Sequence, residues 1–302
     1  MNERTTTTES RKHPICVIRG VSDVGSAIAW KLFHAGFIVV SHENRQPRTI
    51  RRKMAFCDAL WTGEAVLDGL KAHRVDRLED VMKVASPRQS IALYAGPFDA
   101  LLDQVKPDVI VDGRIHKFST VETLKDRAPL TIAVGPCFEA GVHVDYVVES
   151  CWGDDLGRVI SQGSAVEPVP VPPRLNGVGW ERFVRSDRAG RFESDLSIGE
   201  YVVADQIIGH LDGHAVKASI AGYLRGLLHP GLSVLKGEKL CEIDPRENQA
   251  HFIGLAERPS EIADGVLRVA CQFMQVYTVK KGVKDHLYQY DPELLTNNIK
   301  IS

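Results

Sequence analysis

The chain of 302 residues is long enough for two domains of average size, and an apolar content of 44% suffices to bury ordinary cores. Its 37 basic and 39 acidic residues leave a net charge of -2, which argues against a broad electrostatic surface for nucleic acid or anionic membranes. The six cysteines form no CxxC pair and no regular spacing, which disfavours a disulfide framework or a zinc site.

The N-terminal residues are polar and lack the apolar segment of a signal peptide. No later stretch approaches the ~18 consecutive apolar residues that a membrane span needs. We therefore expect a cytoplasmic protein whose residues 1–13 form a flexible tail. We expect neither nucleic acid nor a membrane as partner, and we expect a homo-oligomer.

From residue 14 to residue 160, short apolar runs alternate with helical stretches. The runs are rich in β-branched residues and bounded by Gly, Pro or Asp, which is typical of strands buried on both faces. In chain order the segments are ICVI, SAIAWKLFHA, FIVVS, IALYA, DVIVD, LTIAV and VDYVVES. Helices between such strands predict an α/β fold, here a Rossmann-like doubly wound parallel sheet.

The remainder of the chain changes character twice. Residues 161–185 are rich in proline and glycine, which predicts a linker between domains. Residues 186–256 contain short strand-like runs separated by glycines, which predicts a smaller β-rich domain of hairpins with one tight turn at Asp212-Gly213. Residues 257–302 are predicted to form a C-terminal helix, capped by Ser260, and a charged tail.

A glycine loop follows the first predicted strand, in CVIRGVSDVGSAIAWKL. Gly20 ends the strand and Gly25 opens a helix whose amide groups and dipole favour phosphate, so we place Gly20, Ser22, Asp23 and Gly25 in a cofactor site. The dinucleotide fingerprint would have glycine at position 22, where this chain has Ser22. A simple tight turn remains the alternative.

Charged residues after the second predicted strand extend this site. Glu43 lies where an acidic residue accepts a hydrogen bond from a ribose hydroxyl in dinucleotide-binding folds, although a solvated carboxylate is equally compatible with the pattern. The run RTIRRKMAF contains Arg51 and Arg52, whose guanidinium groups suit a phosphate or carboxylate. An exposed helix face is the alternative for this run.

Further candidates follow later strands. Arg114 and Lys117 come after DVIVD, at the carboxyl edge where open α/β sheets bind ligands, and we add them to the site. Cys137 follows LTIAV in a glycine loop, with no neighbouring lysine or histidine that would activate its thiol. Asp154 and Asp155 suit either a magnesium ion or helix capping, with capping favoured. No HExxH, GxSxG or P-loop motif occurs, so catalytic residues are unassigned and no metal site is predicted.

Over nearly its whole length the sequence resembles the selenium-dependent molybdenum hydroxylase system proteins, which are linked to maturation of molybdenum-cofactor hydroxylases. The resemblance rests on collinear segments: VIRGVSDVGSAIAWKLFHAGFIVV, ENRQPRTIRRKMAF, VGPCFEAGVHVDYVVES, GDDLGRVI, LRGLLHPGLSVLKGEKLCEIDPR and ADGVLRV. The chain departs from the family pattern at Ser22 and Cys137, where the family has glycine, and at Trp152 to Asp154, where it has Arg-Gly-His. We therefore interpret it as a divergent member.

The β-rich segment also resembles biotinyl/lipoyl-type barrels in its rhythm of strands and glycines. The hairpin that would present a modified lysine reads LDGHAV and has no lysine at its tip. This domain is therefore interpreted as a docking or capping module over the ligand-binding edge.

The resemblance implies an accessory or maturation protein for a molybdenum hydroxylase client. Its expected ligand is a nucleotide-like small molecule: NAD(P), another nucleotide or the molybdenum cofactor. An NAD(P)-dependent oxidoreductase of unknown substrate is the alternative, weakened by the lack of a Tyr/Lys or His/Asp pair. A scaffold that retains only the fold is the third possibility.

Overall fold

The computed structural model describes residues 13–117, 119–167 and 171–280. Of the predicted N-terminal tail, only His13 lies among them.

The helices are α1 (Asp23–His34), α2 (Ala59–Thr62), α3 (Val81–Ala85), α4 (Phe98–Val105) and α5 (Glu257–Lys280). The strands of the first half are β1 (Ile15–Arg19), β2 (Ile38–His42), β3 (Glu64–Leu67), β4 (Leu70–Val75), β5 (Ile91–Tyr94), β6 (Val109–Asp112), β7 (Leu130–Val134), β8 (Glu139–Ala140), β9 (Tyr146–Val148), β10 (Val159–Ile160) and β11 (Gly163–Ser164). Those of the second half are β12 (Phe183–Arg185), β13 (Gly190–Glu193), β14 (Tyr201–Val202), β15 (Ile207–Leu211), β16 (His214–Lys217), β17 (Gly222–Leu227), β18 (Ser233–Val234) and β19 (Lys239–Asp244).

The first half forms a nine-stranded sheet in the order β10-β9-β7-β6-β1-β2-β5-β4-β3. All neighbours from β9 to β4 in this order pair in parallel, whereas β10 and β3 pair antiparallel at the two edges. The predicted α/β class with a large, mostly parallel sheet is therefore confirmed. The antiparallel edge strands were not predicted.

Helices cover both faces of this sheet. Ile15 and Val17 point to the face that α3 and α4 cover, and Cys16 and Ile18 point to the face that α1 and α5 cover. Each of these side chains is at most 1% exposed. Burial on both faces explains why the strand reads as a continuous apolar run rather than an alternating one.

The C-terminal helix α5 returns to the first half and packs along α1. Lys31 of α1 forms an ion pair with Asp264 of α5. The helix begins at Glu257, so Ser260 lies within its first turn and is not the predicted cap; Pro259 is compatible with that turn because its missing N–H has no partner there. Among residues 13–117, 119–167 and 171–280, no helix combines the length and apolar character of a membrane span.

The second half contains two four-stranded antiparallel sheets, β12-β19-β17-β14 and β16-β15-β13-β18, around one apolar core. The hairpin between β15 and β16 turns at Asp212 and Gly213, whose φ angles are +46° and +83°. Positive φ at both positions is the geometry of a two-residue hairpin turn, so the turn predicted at Asp212-Gly213 is confirmed.

Candidate functional site

The glycine loop between β1 and α1 is held by close backbone packing. The Gly20 N–H donates to the His42 carbonyl at 2.8 Å, and Gly20 has a φ of +102°. A Cβ atom on Gly25 would lie 2.1 Å from the Gly20 carbonyl oxygen. Ser22 caps α1 through its carbonyl, which accepts from the Ser26 N–H at 2.8 Å. Both glycines are therefore required for α1 to start this close to β1.

Carboxylates of the chain itself bind the amides of this loop. The Val21 N–H donates to Glu43 Oε2 at 3.2 Å, and the Val24 N–H donates to Asp23 Oδ1 at 3.1 Å. A phosphate brought to the same amides would meet two negative charges at short range, which is unfavourable. The loop therefore does not present the open phosphate cradle that its sequence predicts.

Arg51 links the loop to the second half of the chain. It donates to Asp23 at 2.8 Å and to both carboxylate oxygens of Glu242 at 2.7 and 3.1 Å. Arg182 also donates to Glu242, and Arg225 lies 3.6 Å from it. Burial opposes ionisation of these groups, but the opposite charges outweigh it, so the pKa of Glu242 lies below and that of Arg51 above its ordinary value.

Two other predicted arginines have different surroundings. Arg52 donates to both oxygens of Asp58 at 2.9 Å and does not join the loop. Arg114 donates through Nε to Asp112 at 3.1 Å, and its Cγ would lie 2.9 Å from a Cβ on Gly20. Arg114 therefore covers the glycine loop, with its charge balanced by Asp112.

Lys117 interacts electrostatically with three other cations, Arg185, Lys239 and Arg258, and we call these four residues the cationic cluster. Lys117 follows β6. Arg258 stands in the first turn of α5, where its Nε donates to the Ser150 carbonyl at 2.8 Å, just after β9.

The two remaining members of the cationic cluster, Arg185 and Lys239, lie over aromatic rings. Arg185 and Lys239 are register partners on β12 and β19. Lys239 Nζ lies 4.1 Å from the centre of the Phe183 ring. The guanidinium of Arg185 lies 5.5 Å from the centre of the Trp180 ring. The Arg182 guanidinium is 4.4 Å from the same Phe183 ring, so two cations share one aromatic group.

None of the four cations lies within ion-pair distance of a carboxylate of the described residues, although Asp23 and Glu149 act electrostatically on Arg258 and Glu242 acts on Lys239. Burial and the neighbouring cations lower the pKa of Lys239 to about 8, although Glu242 opposes this. The pKa of Lys117 is lowered by burial and then by Arg258 and Arg185. Partly desolvated cations that lie close together are stabilised by an anion placed among them. The cationic cluster is therefore suited to binding an anion.

Sequence reasoning identified Lys117 but missed Arg185, Lys239 and Arg258. The three missed residues stand in separate segments with no local motif, so only the tertiary fold brings them together. Arg258 did carry a signal, because a cation in the first turn of a helix is unfavourable beside the helix dipole and suggests another use for its charge.

A cavity of about 380 Å³ opens at the carboxyl ends of β4 and β5. Its walls include Trp61, Tyr94, Arg45 and Arg74. Arg74 lies 3.1 Å from the Asp76 carboxylate, which balances its charge. Arg74 therefore contributes no unbalanced positive charge to this cavity.

No protein-family model matches the sequence. The chain is similar to the uncharacterized protein YqeB of Escherichia coli K12, with 36% identity over 272 residues, covering 90% of this chain and 49% of that protein. The chain thus spans about half the length of this curated relative.

Three solved structures align with the chain. A succinylglutamate desuccinylase/aspartoacylase of Rhodobacter sphaeroides is 15% identical, covering 78% of this chain and 87% of that one, with a TM-score of 0.25. The product-bound ectoine utilization protein EutE (DoeB) of Ruegeria pomeroyi is 14% identical, covering 76% and 85%, with a TM-score of 0.24. An aspartoacylase family protein of Mesorhizobium loti is 12% identical, covering 77% and 85%, with a TM-score of 0.24. At these sequence identities and TM-scores, no activity of the three proteins is assigned to this chain.

These comparisons correct the functional predictions. Neither the YqeB relative nor the aligned structures point to a selenium-dependent molybdenum hydroxylase system protein. The predicted membership was wrong, as were the maturation function and the NAD(P)-dependent oxidoreductase alternative. The predicted cofactors, NAD(P), another nucleotide or the molybdenum cofactor, were also wrong. The physical reason lies at the glycine loop, where Glu43 and Asp23 bind the amides expected to hold phosphate.

Proposed function

We propose that this protein binds a small multivalent organic anion, such as a di- or tricarboxylate, at the cationic cluster. The proposal is carried by the pairing of Arg185 with Lys239 on β12 and β19, together with the electrostatic interaction of Lys117 with Arg185, Lys239 and Arg258. Charge-assisted hydrogen bonds from lysine and arginine are the strong contacts available to a carboxylate. An anion bound there would join the sheet edge to β12 and β19.

The predicted site residues enter this proposal in different roles. Lys117 contacts the anion directly. Arg51 does not, because its hydrogen bonds are used by Asp23 and Glu242; it positions β19 against the loop. Gly20, Ser22, Gly25, Glu43 and Arg114 shape the loop beneath, and Arg52 stabilises a neighbouring turn through Asp58.

The finer fold assignments belong to the same proposal. The order β5-β2-β1-β6-β7-β9 matches the 3-2-1-4-5-6 order of Rossmann-like sheets, which supports that assignment for residues 14–160. Two antiparallel sheets around one core support a barrel-like unit at residues 186–256. We retain residues 161–185 as the connection between them.

Binding of citrate by isothermal titration calorimetry tests the proposal. We expect wild-type protein to bind citrate, and Lys239→Ala and Arg258→Ala each to weaken binding by about tenfold to a hundredfold, since a hydrogen bond to a charged group contributes about 1.5–3 kcal/mol. Affinity should also fall with added salt.

The matched control is Lys236→Ala, which removes an exposed lysine three positions from Lys239 on the same segment. Its citrate affinity should equal that of the wild type. Equal weakening by Lys236→Ala and Lys239→Ala would mean that citrate responds to overall charge, and the site would then be rejected. Circular dichroism establishes that each variant is folded.

Citrate affinity should fall as the pH rises through about 8, because Lys239 loses its proton there. A bound anion favours the ammonium form, so binding above that pH requires uptake of one proton and weakens by up to ~10-fold per pH unit. Citrate itself keeps its charge from pH 7 to pH 9. The slope should vanish in Lys239→Arg, whose guanidinium stays charged; an unchanged slope in that variant would assign the proton to another group.

A further inference from the structure

We propose that the cavity at the carboxyl ends of β4 and β5 is a second binding site, which takes an aromatic monocarboxylate. Its volume of about 380 Å³ lies in the range of small-molecule sites. No residue of the cationic cluster lines this cavity. The inference therefore goes beyond the proposed function and uses none of the residues of that site.

Tyr94 places a buried polar group at the wall of the cavity. The residue is only 6% exposed, yet its hydroxyl forms no hydrogen bond with a described residue. Tyr94 and Gly96 both line the cavity, and a Cβ on Gly96 would lie 2.1 Å from the Tyr94 hydroxyl oxygen. Glycine at this position therefore leaves space for the hydroxyl. Buried tyrosine hydroxyls usually have a hydrogen-bond partner, and a ligand in the cavity can supply one.

The loop that follows β5 is fixed by the neighbouring strand. His42, at the end of β2, donates from Nε2 to the Gly96 carbonyl at 2.9 Å, and the Glu43 N–H donates to the Tyr94 carbonyl at 3.2 Å. These bonds hold the Tyr94 ring and Gly96 in their relative positions. A preformed wall lowers the entropic cost of binding a small ligand.

The formal charge of the cavity wall is one positive unit. Its charged residues are Arg45, Arg74 and Asp76. Arg74 donates to the Leu60 carbonyl at 2.9 Å and lies 3.1 Å from the Asp76 carboxylate, which balances its charge. Arg45 has no ion-pair partner among the described residues. One carboxylate on the ligand would balance Arg45, whereas further carboxylates would find no cation in this cavity.

Trp61 supplies an aromatic wall, and the second half of the chain holds it in place. His229, which follows β17, stacks on the indole with the ring centres 4.1 Å apart and the planes 11° from parallel. The indole N–H forms no hydrogen bond with a described residue. Leu60 and Val75 extend the apolar lining. Aromatic rings that pack on one another gain more than the burial of apolar area alone provides, so a planar ring suits this wall.

The proposed contacts follow from these three features. Arg45 forms a charge-assisted hydrogen bond with the ligand carboxylate, and the Tyr94 hydroxyl donates to the same group. The ring of the ligand packs against Trp61. The site thus differs in ligand class from the cationic cluster, because it takes one carboxylate joined to a ring rather than several carboxylates.

Isothermal titration calorimetry with indole-3-acetate at pH 7 tests the proposal. Two matched ligands separate its parts, since indole-3-acetamide has the ring without the charge and octanoate has the charge without the ring. We expect indole-3-acetate to bind at least about tenfold more tightly than either, because each comparison removes one interaction of about that size. Equal affinity of either matched ligand would reject the assigned ligand class.

Variants test whether binding takes place in this cavity. Tyr94→Phe removes only the hydroxyl and Arg45→Ala removes only the unpaired cation, so each should weaken indole-3-acetate binding by about tenfold. The control is Arg77→Ala, an exposed arginine three positions after Arg74 that does not line the cavity, and its affinity should equal that of the wild type. Circular dichroism establishes that each variant is folded.

The remaining outcomes separate this inference from the proposed function. Indole-3-acetate should bind Lys239→Ala as it binds the wild type, and citrate should not displace it. Displacement by citrate, or an effect of Lys239→Ala equal to that of Arg45→Ala, would place the ligand in the cationic cluster and reject a second site. Absence of binding to folded wild-type protein, or full affinity in both Tyr94→Phe and Arg45→Ala, would overturn the proposal and leave the citrate site unaffected.

Discussion

Replacing Glu242 with glutamine is expected to lower the free energy of unfolding by about 3–5 kcal/mol, as measured by urea denaturation. Glu242 is fully buried and accepts hydrogen bonds from Arg51 and Arg182, with Arg225 alongside. Glutamine keeps the shape but removes the negative charge, which leaves three guanidinium groups around a neutral amide. Arg51 keeps Asp23 and Arg225 keeps Asp244, but the buried Arg182 loses its carboxylate partner.

The control for this change is Glu193→Gln. Glu193 is exposed and pairs with Arg191 at 2.8 Å, so its replacement should cost about 1 kcal/mol or less. The pH dependence has a defined sign as well. The pKa of Glu242 is lower in the folded protein, so its contribution is complete above about pH 4.5 and is lost as the pH falls further. A variant as stable as the wild type would contradict the role given to Glu242.

Gly25→Ala is expected to destabilise the protein by about 3 kcal/mol or more, because the new methyl group would lie 2.1 Å from the Gly20 carbonyl oxygen. The methyl carbon is fixed to the backbone of α1 and the oxygen belongs to the backbone at the end of β1, so relief requires α1 to move away from β1. Such a movement would also separate Asp23 from Arg51. Urea denaturation measures the loss, and citrate calorimetry on any folded fraction measures the effect on the site.

Gly36→Ala serves as the comparison at the opposite end of α1. A Cβ on Gly36 would have no atom within 4 Å, but its φ of +100° is unfavourable for alanine, so we expect a cost of about 1 kcal/mol from backbone strain alone. Gly25 lies within the helix and has no such strain. Equal losses in the two variants would show that crowding against Gly20 is not the cause.

The sequence was most informative where local pattern and tertiary role coincide. Strand β1 reads as a continuous β-branched run because both of its faces are covered, and the Asp212-Gly213 turn reads as a hairpin because its backbone angles exclude most other residues. The same reasoning failed for Ser260, since the helix is extended to Glu257 by packing and by a proline that the first turn accepts.

The functional interpretation failed at the glycine loop for a physical reason. The spacing of the glycines reflects how closely α1 approaches β1, because a side chain at Gly20 or Gly25 would clash with neighbouring atoms. The spacing does not indicate which groups the loop amides bind. Here the loop amides donate to the carboxylates of Glu43 and Asp23. The sequence places both residues near the loop but does not show which way their side chains face.

The amino-acid sequence by itself determined the α/β class, the tight turn of β1 into α1 and the β-rich character of the second half. These features depend on periodicity and backbone conformation, which are local properties. Only the tertiary structure decided that Lys117, Arg185, Lys239 and Arg258 form one cluster, because they come from four segments between residues 117 and 258. Electrostatic interactions act through space, so their pattern is set by the fold and has no periodicity in the chain.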